Sequence, residues 1–457
     1  MSAPQKSGPT PPVTSVQDCV DWVLSGAKPA SAFKIGTEFE RFALGPDGLT
    51  LPYEGHASIR TLLDRLATRH GWTPYLEGGK PIALTRGMAS ISLEPAGQFE
   101  LSGAPMATIA DMRAELDQHL AELHDVSADL GIKLAHIGFN PLNTVENCQR
   151  MPKSRYGIMR RIMPTVGSLG LEMMHLTCTV QTNMDFSSGA EATEMMRLGH
   201  LLSPVLIALF ANSPIRHGVD SGFATFRAHL WTDVDNGRCD VSRFIFDPHA
   251  TIADYVEWCW DVPMYFLDIV HPDGSHGHQE LFAAPMTFRQ FFERGFGDRR
   301  PTLADWELHA STMFPDVRLK KYLELRQADV VPPEALPALP ALTKGLFYDA
   351  DARRKCLDLL RDGDTTVDRA GLRALACKHA LDGVAGEWHL RELAATVLGI
   401  ARQSLERQAA ASGVDHKASD SLDILDEIVA GERPQFWQTV RSRWQANPQL
   451  LALADWP

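Results

Sequence analysis

The chain has 457 residues, 44% hydrophobic and 22% charged, and a formal net charge of −13; no stretch approaches the roughly 20 uncharged apolar residues that a membrane helix needs. A globular class follows, and the acidic balance speaks against a non-specific nucleic-acid binder, which must neutralise phosphates with a basic face. Seven cysteines, odd in number and without CxxC spacing, suit a reducing cytoplasm better than a disulfide framework.

In chain order, residues 1–15 are rich in Pro, Ser and Thr and lack the basic start and apolar run of a secretory signal, so they read as a disordered lead-in. Apolar–polar alternation predicts strands over 34–42, 91–101, 176–186, 223–231 and 317–326. Helical periodicity falls around them, over 57–70, 108–130, 190–211 and 302–313. The elements arrive irregularly rather than as βαβ units, and alternation implies one packed and one wet sheet face, which together predict an α+β domain over 16–340 with a mainly antiparallel sheet. Pro332, Pro333, Pro337 and Pro340 mark a change. Beyond them, residues 341–457 are helical in pattern, with segments near 350–362, 367–381, 387–410, 418–430 and 434–445. This region is either a second domain or a helical layer over the first.

Residues of one parity in a strand share a side, and the polar sides here have an unusual composition. Glu38 and Glu40 oppose Ile35 and Phe39. In 91–101, Ser92, Glu94, Gln98 and Glu100 oppose Ile91, Leu93, Phe99 and Leu101, with Pro95–Gly97 forming a bend. Thr177, Thr179, Gln181, Asn183 and Asp185 share a side; so do Thr225, Arg227, His229 and Trp231, and so do Lys320, Tyr322, Glu324 and Arg326. A solvated sheet face is the ordinary reading of any one strand, but such faces draw on Thr, Lys and Ser. Glutamate is a poor strand former and like charges side by side repel, a conflict that a cation resolves. Hard divalent ions take oxygen ligands, and arginine suits phosphate or carboxylate through its fork. Glutamates with Arg and Lys nearby are what nucleotide-triphosphate chemistry needs where no phosphate loop exists.

The sequence has no GxxxxGK[ST], no GxGxxG after a strand and no HExxH. Asp233–Gly237 imitates a calcium loop but lacks the spacing and the closing Glu, and reads as a polar turn. His229 is a structural hydrogen-bonding group or a substrate contact.

The segments IGTEFERF, SLEPAGQFELSGAP, MPKSRYGIMRRIMP, VGSLGLEMMHLTCTVQTNMDFSS, LFANSPI, FRAHLWTD, DVPMYF, FPDVRLKKYLELRQAD and GLFYD, spread over much of residues 33–349, resemble the glutamate–cysteine ligases of plants and related bacteria. The resemblance implies a fold similar to glutamine synthetase, with an antiparallel sheet forming an active-site funnel. It also implies ATP-dependent ligation of the γ-carboxylate of glutamate to the amine of cysteine, through a γ-glutamyl phosphate, as the first step of glutathione biosynthesis. Mg²⁺ is the implied metal, with Mn²⁺ as a substitute. Residue by residue, Glu38, Glu40, Glu94, Glu100 and Glu324 match metal-binding glutamates, with Gln181 where more distant relatives have a metal-binding His. Arg326 matches an arginine directed at the nucleotide phosphates, with Lys320 beside it, and Arg326 and Glu324 form the catalytic pair. Arg155 and Arg227 match arginines that hold glutamate, and Trp231 joins them as a substrate contact. The implied partners are L-glutamate, L-cysteine and ATP, with no nucleic acid or membrane, and a monomer or weak homodimer is expected.

The sequence departs from the plant pattern at 283–306, which contains no cysteine where plant members carry a regulatory pair. Thiol-based regulation is therefore not carried over. Two rivals share the nucleotide and metal residues: a ligase with another amine acceptor or one supplying ergothioneine synthesis, and a non-catalytic sensor that kept the pocket.

Overall fold

Strand β1, Ile35–Leu44, is buried along its whole length because it has neighbours on both edges and layers on both faces. The computed structural model describes residues 10–270, 276–361, 369–386 and 388–447. The large sheet has nine strands. From one edge it runs through the hairpin Val317–Leu319/Leu323–Leu325, then β7 (Val180–Met184), β1, β5 (Phe99–Ser102), β4 (Ala89–Leu93), β3 (Lys80–Arg86) and β2 (Thr73–Glu77). β6 (Lys133–Ala135) pairs with the far end of β1, and every pairing is antiparallel. This is the expected α+β class.

One face of the sheet packs on helices. Thr182 of β7 meets Thr343 of helix Ala338–Phe347 at 3.0 Å. Helix Gly189–Leu209 lies so close to the edge hairpin that a Cβ on Gly199 would stand 2.5 Å from a Val317 methyl carbon. Only glycine permits that approach. Helix Ile109–Ser127 supplies a third cover with its buried stripe Met112, Leu116, His119 and Leu123. One hydrophobic cluster runs through this layer from Val13 to Val440, so the C-terminal helices share the core of the sheet. Of the expected lead-in 1–15, residues 1–9 lie outside the described residues; Val13 is buried and donates its N–H to Pro301.

Helix expectations hold to within a few residues: Ile59–His70, Ile109–Ser127, Gly189–Leu209 and Leu303–Ala310 in the first part, then Ala350–Arg361, Arg369–His379, Leu390–Ser412, Asp423–Ala430 and Phe436–Ala446. Three strand expectations are corrected. The segment 91–101 is a β4–β5 hairpin, turned by Gly97 at φ +86°. Ser92 faces Glu100 across it, so the parity argument survives the fold-back. Segment 317–326 is likewise a hairpin, and Phe226–Leu230 within 223–231 is a helical turn capped by the Thr225 hydroxyl on the Ala228 N–H. Five residues span less than one and a half helical turns, too short a stretch to separate a period of 3.6 from one of 2, so the pattern could not tell the two apart. Among the described residues no helix is long and apolar enough to cross a membrane.

Candidate active site

Cross-strand register assembles the site in rows. Ser92, Glu100 and Glu40 are successive neighbours across β4, β5 and β1. One row along, Ser102, Glu38 and Gln181 cross β5, β1 and β7. The next row carries Asn183, Glu324 and Arg318. Short polar groups hold the carboxylates in place. Glu100 accepts from the Ser102 and Ser92 hydroxyls at 2.5 and 3.1 Å. Glu40 accepts from the Thr179 N–H at 2.9 Å, and Glu38 from the Asn183 amide at 3.1 Å.

These rows front a cavity of about 150 Å³. Glu38, Glu40, Glu94, Glu100, Gln181, Arg155, Arg227, Trp231, Lys320 and Arg326 all line it, so the fold gathers residues up to 288 positions apart in sequence (38 to 326). The arginines arrive from different elements. Arg155 begins helix Ser154–Val166, its guanidinium 5.2 Å from the Tyr156 ring centre. Arg227, placed by the sequence on a strand, comes from the helical turn Phe226–Leu230 and donates to the carbonyls of Gln327 and Arg326 at 3.2 and 3.1 Å. Asp329 stands 3.6 Å from it, so Arg227 also ties that turn to the chain leaving the edge strand. Its Nε has no partner among the described residues.

The six carboxylate and amide residues expected at a metal divide into two environments. Burial, then mutual repulsion with Glu94 and Glu100, pushes the Glu40 carboxyl well above the usual range. Glu94 is raised by the same two causes, burial and Glu100. Glu324 is the reverse case. It is fully buried beneath the cavity rather than in its lining. Burial acts to raise it, yet Arg318, Lys320 and Arg326 hold it well below the usual range. Arg318 forms an ion pair with one oxygen and Lys320 reaches the other at 2.5 Å, with Arg326 at 3.6 Å. Gln181 is also engaged, its amide oxygen accepting from Arg326 at 3.0 Å.

Oxygen-only donors among mutually repelling carboxylates fit a hard divalent cation at Glu40, Glu94 and Glu100, with Glu38 adjoining. As placed, no three acidic or metal-ligating side chains among the described residues converge closely enough to hold one ion. At Glu324 the counter-charges are protein cations.

Two residues the sequence reading passed over belong here. Arg318 lines the cavity and pairs with Glu324; its parity with Lys320 was the available signal. Lys153 is buried, donates to the Leu93 carbonyl at 2.7 Å and is pushed down to about 8 by burial, then Arg155, against the pull of Glu94 and Glu100. It has no periodic signal, because it precedes a helix in an irregular segment. His229 falls outside the site, stacked on Phe223 at 4.2 Å. Asp235, in the turn that imitates a calcium loop, instead binds Arg238 and the Tyr265 hydroxyl at 2.6 and 2.9 Å. A larger cavity of about 660 Å³ shares Trp231 and Phe314 with the first.

Comparison with known proteins agrees with this arrangement. The model of glutamate–cysteine ligase family 2 matches residues 34–450. The chloroplastic glutamate–cysteine ligase of Arabidopsis thaliana is 41% identical over 92% of this chain and 78% of its own length. Enzyme B of Oryza sativa subsp. japonica is 40% identical over 96% of this chain and 86% of its own length. Among solved structures, a glutamate–cysteine ligase from Francisella tularensis, in complex with AMP, covers 93% of this chain and 90% of its own with a TM-score of 0.52. At 12% identity that likeness concerns the fold alone.

Proposed function

The chain belongs to glutamate–cysteine ligase family 2 and forms γ-glutamylcysteine from glutamate and cysteine; from that premise we propose how its own residues divide the work, with ATP as co-substrate and Mg²⁺ as the metal. The observation that carries this reading is the convergence of Glu40, Glu94 and Glu100 with Arg155, Arg227, Lys320 and Arg326 around one cavity.

Arg155 and Arg227 hold the carboxylates of glutamate through charge-assisted hydrogen bonds, which orient its γ-carboxylate toward the nucleotide. Arg326 and Lys320 face the triphosphate and oppose the charge that builds up as the γ-carboxylate oxygen attacks the γ-phosphorus and ADP leaves. The resulting acyl phosphate is attacked by the cysteine amine, and phosphate departs with the C–O bond electrons. Glu38, Glu40, Glu94 and Glu100 would hold Mg²⁺, which supplies charge neutralisation to the phosphates when bound. Glu324 acts one layer below: it fixes Arg318, Lys320 and Arg326 in place, and the three cations keep it ionised. No protein nucleophile is needed. All seven cysteines are free thiols and six are buried, which supports a reducing compartment, and we place the enzyme in the cytoplasm.

The test is phosphate release with ATP, Mg²⁺ and glutamate across a panel of amine acceptors. Release should depend on glutamate and be fastest with cysteine. Another preferred amine would transfer the same machinery to a different acceptor, and release in the absence of glutamate would defeat the assignment.

A further inference from the structure

On the sheet face away from the glutamates lies a second group of charged and polar side chains that the ligase reaction does not use. Arg41 follows Glu40 in β1 and so projects to the opposite side. β6 pairs Ala135 with Phe42, and continuing that register by one residue sets His136 beside Arg41. His119 comes from the covering helix Ile109–Ser127. The three are 0%, 4% and 1% exposed. Arg41 Nε, Nη1 and Nη2 and both ring nitrogens of each histidine have no hydrogen-bond partner among the described residues.

The charges here do not balance. Burial, then the charge of Arg41, pushes both imidazoles well below their usual range, and Arg86, then His136, add to the effect on His119. They are therefore neutral near pH 7. A guanidinium is not deprotonated in proteins, so Arg41 keeps its charge. The carboxylates on the covering helix are committed elsewhere. Glu115 accepts from the Ala104 N–H at 3.0 and 3.1 Å, and Glu122 binds Trp72, Arg86 and Gln118. A buried cation without a counter-charge or acceptors is strongly destabilising.

We propose that Arg41, His119 and His136 form a binding site for a small monovalent anion of halide size. A guanidinium fork and one N–H from each neutral imidazole supply unpartnered donors from three elements, and the missing partner is a negative charge rather than another donor. Bound there, the anion would tie β1 to β6 and to helix Ile109–Ser127 behind the active site.

The experiment uses the full chain and bromide as probe. At constant ionic strength, sodium gluconate is replaced by sodium bromide in thermal unfolding, and crystals soaked in bromide are measured at its absorption edge. Wild type should show a saturable rise in melting temperature of roughly 1.5 °C, the size expected for a ligand at about ten times its Kd in a chain of this length. Arg41→Met, which removes the buried charge together with its demand for a partner, should lose that response. An anomalous peak should lie within hydrogen-bonding reach of Arg41. If Arg41→Met does not fold, the anomalous map of wild type and the bromide titration of His119→Phe decide instead. An identical bromide response in wild type and variant, no anomalous peak beside Arg41, or a saturable response to phosphate in place of bromide would each overturn the proposal.

Discussion

The two ends of one sheet face solve the same electrostatic problem in opposite ways. Around Glu40, Glu94 and Glu100, burial and the neighbouring carboxylates raise the proton affinity of Glu40 and Glu94, while Glu100, against the effect of burial, is held below the usual range with help from the Ser102 hydroxyl, Lys153 and the Ser92 hydroxyl. Around Glu324, a single carboxylate is held ionised by Arg318, Lys320 and Arg326. The difference teaches that a glutamate in such a funnel is not a metal ligand by virtue of being there. Where the protein leaves carboxylates in mutual repulsion, a cation would relieve it; where it supplies the cations itself, the carboxylate would serve to aim them.

Glu324→Gln should break the second environment most severely. It strands the buried Arg318 and Lys320 and the half-buried Arg326, so activity should fall below about 1% and unfolding stability should drop by roughly 3–5 kcal/mol, the cost of removing one partner of a buried ion pair. Urea melts alongside kcat check this; an unchanged midpoint with lost activity would return Glu324 to the role of a simple ligand. Glu40→Gln should separate activity from stability. Removing one repelling charge should leave the metal-free protein as stable or slightly more so, while kcat/KM at ordinary Mg²⁺ falls at least about tenfold, as expected for loss of a charged oxygen ligand. A variant with wild-type kcat would end the assignment for that residue.

Arg227→Lys is a smaller perturbation between the two environments. Losing the planar fork should raise the apparent glutamate KM by about ten- to hundredfold, from roughly 1.5–3 kcal/mol of charge-assisted bonding, with a far smaller change for ATP. Because Arg227 also donates to the carbonyls of Arg326 and Gln327, a fall in melting temperature should accompany it. Equal losses for both substrates would assign the residue to that bracing role alone.

The pH dependence of the metal-free protein gives the finest test, because Glu40 and Glu94 have the opposite sign to Glu324. Glu40 and Glu94 are raised in the folded state, so the fold holds more protons than the unfolded chain above about pH 4.5. Their contribution is full below that value and is lost as pH rises through the raised folded values. Glu324 is depressed, so its contribution is present above about pH 4.5 and is lost as pH falls through its folded value. Stability should therefore decline on both sides, with a slope on the alkaline side of at most about 1.4 kcal/mol per pH unit per proton. Glu40→Gln should flatten the alkaline side only. A flat alkaline limb in wild type would show that the glutamates do not repel one another.

Alternation by itself determined which residues of β1, β5 and β7 share a face, because a strand has a period of two whatever its neighbours are. Helical periodicity likewise placed Ile59–His70, Gly189–Leu209 and most of the C-terminal helices, since a long stripe leaves few alternatives. Tertiary structure decided the rest. Whether 91–101 and 317–326 ran straight or folded into hairpins depended on which strand edges were free to pair, and Arg227 reached the site from a helical turn that a five-residue pattern cannot distinguish from a strand. Most of all, the sequence shows that Glu40 and Glu324 are both glutamates on a polar face. Which of them has protein cations for neighbours is settled by the register that places Arg318 beside Glu324 and Glu100 beside Glu40, because charge balance is a property of neighbours in space.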